Sequence, residues 1–221
     1  MVASGLVSTR RHPVSRLWFA ATAAIAFSAV VIQVIVAAGM PGHFTTPLEK
    51  SLNVFAFFTI QSNIIVGVTC LLLALRLERT SELFRMFRLS GVVAILITGL
   101  VYHTLLAGLV DVHGWAAVCN QMLHTAVPLL GVLGWLLFGP RGLISWRTVA
   151  LAFVFPLGWL AFTMIRGAAI RWYPYPFIDV DDLGYVRVAV NAVVVAAIFF
   201  GLAAAAFAFD RWALRRAGRT G

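Results

Sequence analysis

Six apolar runs, each about as long as a bilayer is thick, decide what this chain can fold into. They fall at residues 17–38, 54–75, 91–109, 116–138, 148–170 and 186–209. A helix needs roughly 20 apolar residues to cross the hydrocarbon core. Inside lipid, every backbone N–H and C=O must be satisfied by the protein itself, a condition that a helix meets within its own segment. The connections are too short to hold a soluble domain. The expectation is an all-α membrane protein, a single bundle of six transmembrane helices over residues 17–209. A basic N-terminal segment, 1–16, precedes it and a basic tail, 210–221, follows. Only 11% of the residues are charged, against about a quarter in soluble domains. The first run exceeds the apolar core of a cleaved signal peptide and reads as a span.

The net charge is +9, but its distribution excludes nucleic acid as the partner. Arg10, Arg11 and Arg16 precede the first span. Arg76, Arg79, Arg85 and Arg88 lie between the second and third, and Arg141 and Arg147 between the fourth and fifth. Arg211, Arg215, Arg216 and Arg219 follow the sixth. Thirteen of the 17 basic residues therefore fall on one side. The positive-inside rule makes that side, and with it both termini, cytoplasmic. The same surface is expected to meet anionic lipid headgroups. Arginine outnumbers lysine sixteen to one, a bias of GC-rich bacterial genomes, so a multi-pass protein of a bacterial plasma membrane is expected. Cys70 and Cys119 fall at different depths and are not expected to pair. Asp179, Asp181 and Asp182 lack the spacing of a calcium loop. No metal and no cofactor is expected, and the sequence specifies no oligomeric state.

Two stretches interrupt the apolar pattern: Phe58-Thr59-Ile60-Gln61-Ser62-Asn63 and Asn120-Gln121-Met122-Leu123-His124-Thr125. Polar groups are costly in hydrocarbon and normally face a protein interior or a cavity. At 1.5 Å per residue, Thr59 falls about 8 Å below the outer end of its run and His124 about 12 Å. His103, Asn63 and Asn120 fall in the same outer half, with Thr163, Arg166 and Asn191 near the outer ends of the last two spans. Thr59 and Asn63 are four residues apart, as are Asn120 and His124, so each pair shares a helix face. Each residue alone has a structural use, as interhelical glue or as a satisfied core group. Their one-sided clustering points to a functional cavity.

The chemistry available there is acyl transfer. Thr59 carries a hydroxyl that needs a base to become a nucleophile. His124 is the base, and returns the proton to the leaving group. Asn63, Asn120, Gln121 and Arg166 are candidate donors to a tetrahedral oxyanion. His103 is a second acid/base candidate or an orienter of the first. A site at this depth suits a membrane lipid ester. The loop at residues 171–185 is rich in Tyr, Trp, Pro and Asp. It reads either as an aromatic-belt anchor or as a lid over an outward-opening pocket.

In Phe58-Thr59, in Asn120-x-x-x-His124-Thr125 with Pro128, and in Tyr175-Pro176-Phe177, the chain resembles the Pr6Pr family of six-span membrane proteins. It is more distantly similar to the animal androgen-induced membrane proteins that hydrolyse fatty-acid esters of hydroxy fatty acids. The matching order covers spans two to six. The resemblance implies an intramembrane threonine and histidine as the catalytic pair, here Thr59 and His124, and a hydrolase or acyltransferase acting on lipid esters. Three other classes compete, one of them a purely structural or partner-binding protein whose outer polar cluster serves stability alone. A lipid or small-molecule transporter or binding protein would use the same cavity, but the inner half lacks polar residues for an exit path. A single-haem protein would use His103 and His124 as axial ligands from consecutive helices.

Overall fold

The computed structural model describes residues 12–109 and 111–217. Arg10, Arg11 and Arg219, counted above toward the basic side, lie outside the described residues. Among the described residues all regular structure is helical. Six helical segments are long and apolar enough to cross a bilayer, and the chain is an all-α, multi-pass membrane protein.

The first span is α1, His12–Gly39. A short helix, α2 (Pro47–Asn53), follows it, opened by a capping box between Thr46 and Glu49. The second span is α3, Phe58–Leu75. The third is α4, Glu82–Val101, prolonged by a π turn at Tyr102–Leu106. The fourth joins α5 (Trp115–Gln121), a π turn at Met122–Ala126, and α6 (Val127–Phe138). The fifth joins α7 (Trp146–Ala152) to α8 (Val154–Ile170), and the sixth is α9, Val180–Ala217.

Two boundaries differ from the hydropathy reading in ways that matter. The second span begins at Phe58, because a 3₁₀ turn at Val54–Ala56 and the extended Phe57 break the helix there. Thr59 therefore stands in the first turn of α3, and its burial comes from chain folded over it. The third span begins at Glu82, with Ser81 capping its N-terminus. Arg85 and Arg88 are therefore helical residues and not loop residues.

α4 is the central helix: it packs against α3, α6, α7 and α9, and every residue from Arg88 to Ile95 is buried. Small residues let its neighbours close in. A Cβ on Gly91 would come within 2.8 Å of the Ile65 side chain on α3, and one on Gly99 within 3.3 Å of the His124 carbonyl. α8 approaches only α7 comparably closely, which leaves space between α8, α4 and α9. With six crossings, both described ends of the chain lie at one end of the bundle, called here the basic end. The loops before α3 and before α9 lie at the other, distal end.

Candidate functional site

The fourth span widens at His124 for a reason written in the sequence. Pro128 has no N–H to give the His124 carbonyl four residues earlier, and its ring crowds that carbonyl. A π turn, Met122–Ala126, takes up the misfit; such bulges recur at functional sites. Gly99 of α4 lies against the same carbonyl, so the turn is held in place by a close helix contact.

His124 sits with Nδ1 3.0 Å from the Asn120 carbonyl oxygen and Nε2 3.5 Å from Thr59 Oγ1. A carbonyl only accepts, so Nδ1 carries the proton and donates it. In the neutral ring Nε2 is then an acceptor. The Thr59 hydroxyl donates to it. The Tyr175 hydroxyl lies 3.1 Å from Thr59 Oγ1 and, with the threonine proton already directed at His124, donates to that oxygen. One polarity runs through the whole chain: Tyr175 O–H to Thr59 O–H to His124 Nε2, and His124 Nδ1–H to Asn120. The 3.5 Å step is at the long limit of a hydrogen bond.

Tyr102 completes the setting of His124. Its ring stacks on His124 at 4.1 Å between centroids, and its hydroxyl accepts from the Asn120 side chain. Asn63, fully buried, donates to the carbonyls of Thr59 (2.8 Å) and Leu123 (3.3 Å). It thus clamps the threonine turn of α3 to the histidine turn of the fourth span. Ser62 adds a bond to the Thr59 carbonyl and another to Thr98 of α4.

The first turn of any helix leaves backbone N–H groups without intrahelical partners. Tyr175 uses one: Thr59 N–H donates to its hydroxyl oxygen at 3.1 Å. The tyrosine gets there because the segment before α9 folds down into the bundle. Tyr173, Tyr175 and Ile178 are buried together with Phe57, Phe58 and Trp159. Gly167 makes the fit possible, since a Cβ there would lie 2.1 Å from the Tyr173 ring. Tyr175, Phe177 and Ile178 of this segment also line a cavity, and the aromatic-belt reading of the loop does not describe the buried Tyr173 or Tyr175. Burial pushes the Tyr175 phenol above its ordinary pKa, so the hydroxyl keeps its proton at neutral pH. The loop carboxylates serve the backbone: Asp179 accepts the N–H of Asp181, and Asp181 pairs with Arg171 at 2.8 Å.

Behind Thr59 and Tyr175 opens a cavity of about 840 Å³, its open side included, between α4, α8 and α9. Thr59, Thr98 and Tyr175 are its polar wall; the remainder, including Phe58, Phe153 and Phe199, is apolar. His124 lies outside this wall and reaches Thr59 from the other side.

The other residues singled out from sequence do not converge on Thr59. Asn63 spends both amide hydrogens as a clamp, and Asn120 contributes its backbone carbonyl to His124 and its side chain to Tyr102. Neither amide is directed at the hydroxyl. Gln121 is exposed and accepts from Thr125 (2.9 Å), which in turn meets His103 Nε2 at 3.0 Å. His103 is therefore on an outward-facing polar chain. Its Nε2 meets Thr125 while that of His124 meets Thr59, so the two rings do not present a common axial pair to a haem iron. Arg166 donates to Asn53 at 2.7 Å and lies over the rings of Phe44 and Trp172, at the distal rim. Cys70 and Cys119 are both free and buried.

Tyr175 and Tyr102 are the site residues that sequence reasoning left out. The first was visible as part of a proline-aromatic loop, without a sign that it turned inward. The second lay next to His103 and was overshadowed by it. No protein-family model matches the chain, and no curated protein or solved structure does so either.

Proposed function

We propose that this protein is an intramembrane hydrolase or acyltransferase of the Pr6Pr kind, acting on lipid esters with Thr59 as nucleophile and His124 as base. The observation that carries the reading is the fixed tautomer of His124. Its Nδ1–H is spent on the Asn120 carbonyl and its Nε2 faces the Thr59 hydroxyl, at the wall of an apolar cavity. A binding or transport protein would use the cavity but has no need of an oriented base.

The chemistry follows from the proton order. Thr59 Oγ1 attacks the ester carbonyl carbon while its proton passes to His124 Nε2. The carbonyl oxygen becomes an oxyanion, and Thr59 N–H and Tyr175 O–H would turn from Tyr175 and from Thr59 Oγ1, which they serve in the free site, to donate to it. Collapse breaks the bond to the alkoxy oxygen, which leaves with the proton from Nε2. Water, or another alcohol in a transferase, then attacks the acyl-threonine with His124 again as base. Threonine and neutral histidine are regenerated. Apolar walls suit the acyl part of such a substrate.

We place the basic end and both termini in the cytoplasm of a bacterial cell, so that the site opens toward the outer leaflet. Cysteines introduced in the loop before α2 should label from outside, and those near Arg79 only after permeabilisation. The opposite pattern would overturn this orientation. The activity is tested with protein in nanodiscs, a fluorogenic acyl ester and a fluorophosphonate probe. Wild type should turn over the ester and carry the label on Thr59. Thr59→Ala and His124→Ala, shown to be folded by thermal unfolding, should do neither. Full turnover in folded His124→Ala would end the enzyme reading.

A further inference from the structure

Among the described residues, no carboxylate pairs with Arg88, a buried cation near the basic end of α4. Arg88 is 6% exposed. One terminal nitrogen donates to the Gly139 carbonyl at 3.0 Å, and the guanidinium lies 5.0 Å from the centroid of the Phe19 ring. The Cys70 thiol of α3 is a hydrogen-bond neighbour of the guanidinium, while Arg88 Nε is buried with no partner.

The charges facing this point from each neighbouring element do not balance. α4 itself supplies Arg85, whose Nε donates to the Thr80 carbonyl at 2.7 Å. Glu82, on the same helix, is occupied by Arg147 at 2.6 Å. The loop after α6 supplies Arg141. Its guanidinium lies 4.8 and 4.9 Å from the ring centroids of Trp135 and Phe209, and its Nη1 is also buried and unpartnered. α9 supplies Asp210, but its two oxygens accept the backbone N–H groups of Gly142 and Ile144, at 2.9 and 3.1 Å. Asp210 thus neighbours Arg141, and among the described residues no carboxylate pairs with Arg85, Arg88 or Arg141. A buried charge is costly unless it is paired and hydrogen-bonded.

A pocket of about 290 Å³, its open side included, lies against Arg88 and Arg85, walled by Phe84, Trp135, Pro140 and Ile144. We infer that it is an anion site that takes a phosphate group. Arg85 and Arg88 are three residues apart on one helix face, and planar guanidiniums match phosphate oxygens better than any other side chain. Arg88 stands about 9 Å along α4 from its first residue, and a helical side chain leans back toward that end, where the headgroups lie. The apolar wall suits the glycerol and first methylenes behind such a headgroup. The site is independent of the Thr59 chemistry.

The test follows thermal unfolding in nanodiscs of phosphatidylcholine, with and without a minority of phosphatidylglycerol. A second series uses phosphatidylcholine discs in inorganic phosphate against chloride of equal ionic strength. The proteins are wild type, Arg88→Lys, Arg85→Gln and, as a control, Arg76→Gln, which alters an exposed arginine outside the pocket. Wild type should gain a higher Tm with phosphatidylglycerol. The gain should persist in Arg76→Gln, shrink in Arg85→Gln and vanish in Arg88→Lys. An equal gain with inorganic phosphate makes the ligand a free phosphate; a gain with the lipid alone makes it a headgroup; either supports the site. No gain in wild type from either source, or a full gain in Arg88→Lys, overturns it. If Arg88→Lys does not fold, Arg85→Gln decides: an undiminished gain there overturns the inference as well.

Discussion

Among the described residues two π turns carry one histidine each, and the fold surrounds the two rings differently. At Met122–Ala126 the ring is held on three sides: Asn120 fixes Nδ1, Tyr102 covers the face, and Thr59 stands at Nε2. At Tyr102–Leu106 the ring of His103 is exposed and meets Thr125 and, through it, Gln121. Residue type, turn type and approximate depth are shared. What differs is the set of groups that the fold brings to each ring. A base is made by a fixed tautomer and a hydroxyl at its lone pair, and only one of the two turns receives both.

The comparison breaks most readily at His124. On the proposed mechanism its removal eliminates proton transfer, so His124→Ala should lower kcat/KM for ester hydrolysis by roughly 10²–10⁴. Thr59→Ala should cost a comparable factor and abolish covalent labelling. The double variant should be little worse than either single one, because groups that act as one unit are strongly non-additive. Independent, multiplying losses would mean that the pair does not work together. Tyr175→Phe comes next. It removes one donor to the oxyanion and should reduce kcat by about 10² with KM little changed. A KM effect alone would make the tyrosine a contact for ground-state substrate and nothing more.

Gly167→Ala tests the inward packing of the aromatic loop without touching the reacting groups. The added methyl would overlap the Tyr173 ring. Overpacking of this kind should lower stability by about 1–3 kcal/mol, read as a fall in Tm. Because Tyr173 and Tyr175 share one buried cluster, partial loss of turnover should accompany it. Smallest of all is His103→Ala. An exposed substitution away from the reacting groups should change stability by no more than about 0.5 kcal/mol and leave turnover near wild type. A loss as large as that of His124→Ala would erase the distinction between the two turns.

Hydropathy and helical period are local properties, and what depends on them was legible in the sequence. The six spans follow from apolar runs, because lipid leaves a backbone no other way to satisfy itself. The pairing of Thr59 with Asn63 and of Asn120 with His124 follows from i, i+4 geometry, and both pairs do face protein. The i, i+4 spacing even foreshadows the bond from His124 Nδ1, although it runs to the Asn120 backbone and not to its side chain. Pro128 marks the place where the fourth span must widen. The start of the second span was drawn too early, because Val54, Phe55 and Ala56 are as apolar as the helix they precede.

What the tertiary structure alone decided lies in contacts between residues remote in sequence. Tyr175 reaches Thr59 across 116 positions and Asn63 reaches Leu123 across 60, and nothing in either local pattern specifies the other. Whether the aromatic loop floats at the interface or packs inward depends on shape. The missing Cβ of Gly167 and the gap beside α8 admit it, and those features exist only once the helices are assembled. The same holds for charge. Arg85, Arg88 and Arg141 read in sequence as three residues of a basic side. Folding buries the second of them with no carboxylate paired to it among the described residues, while Asp210 is held by backbone N–H groups that the loop after α6 turns toward it.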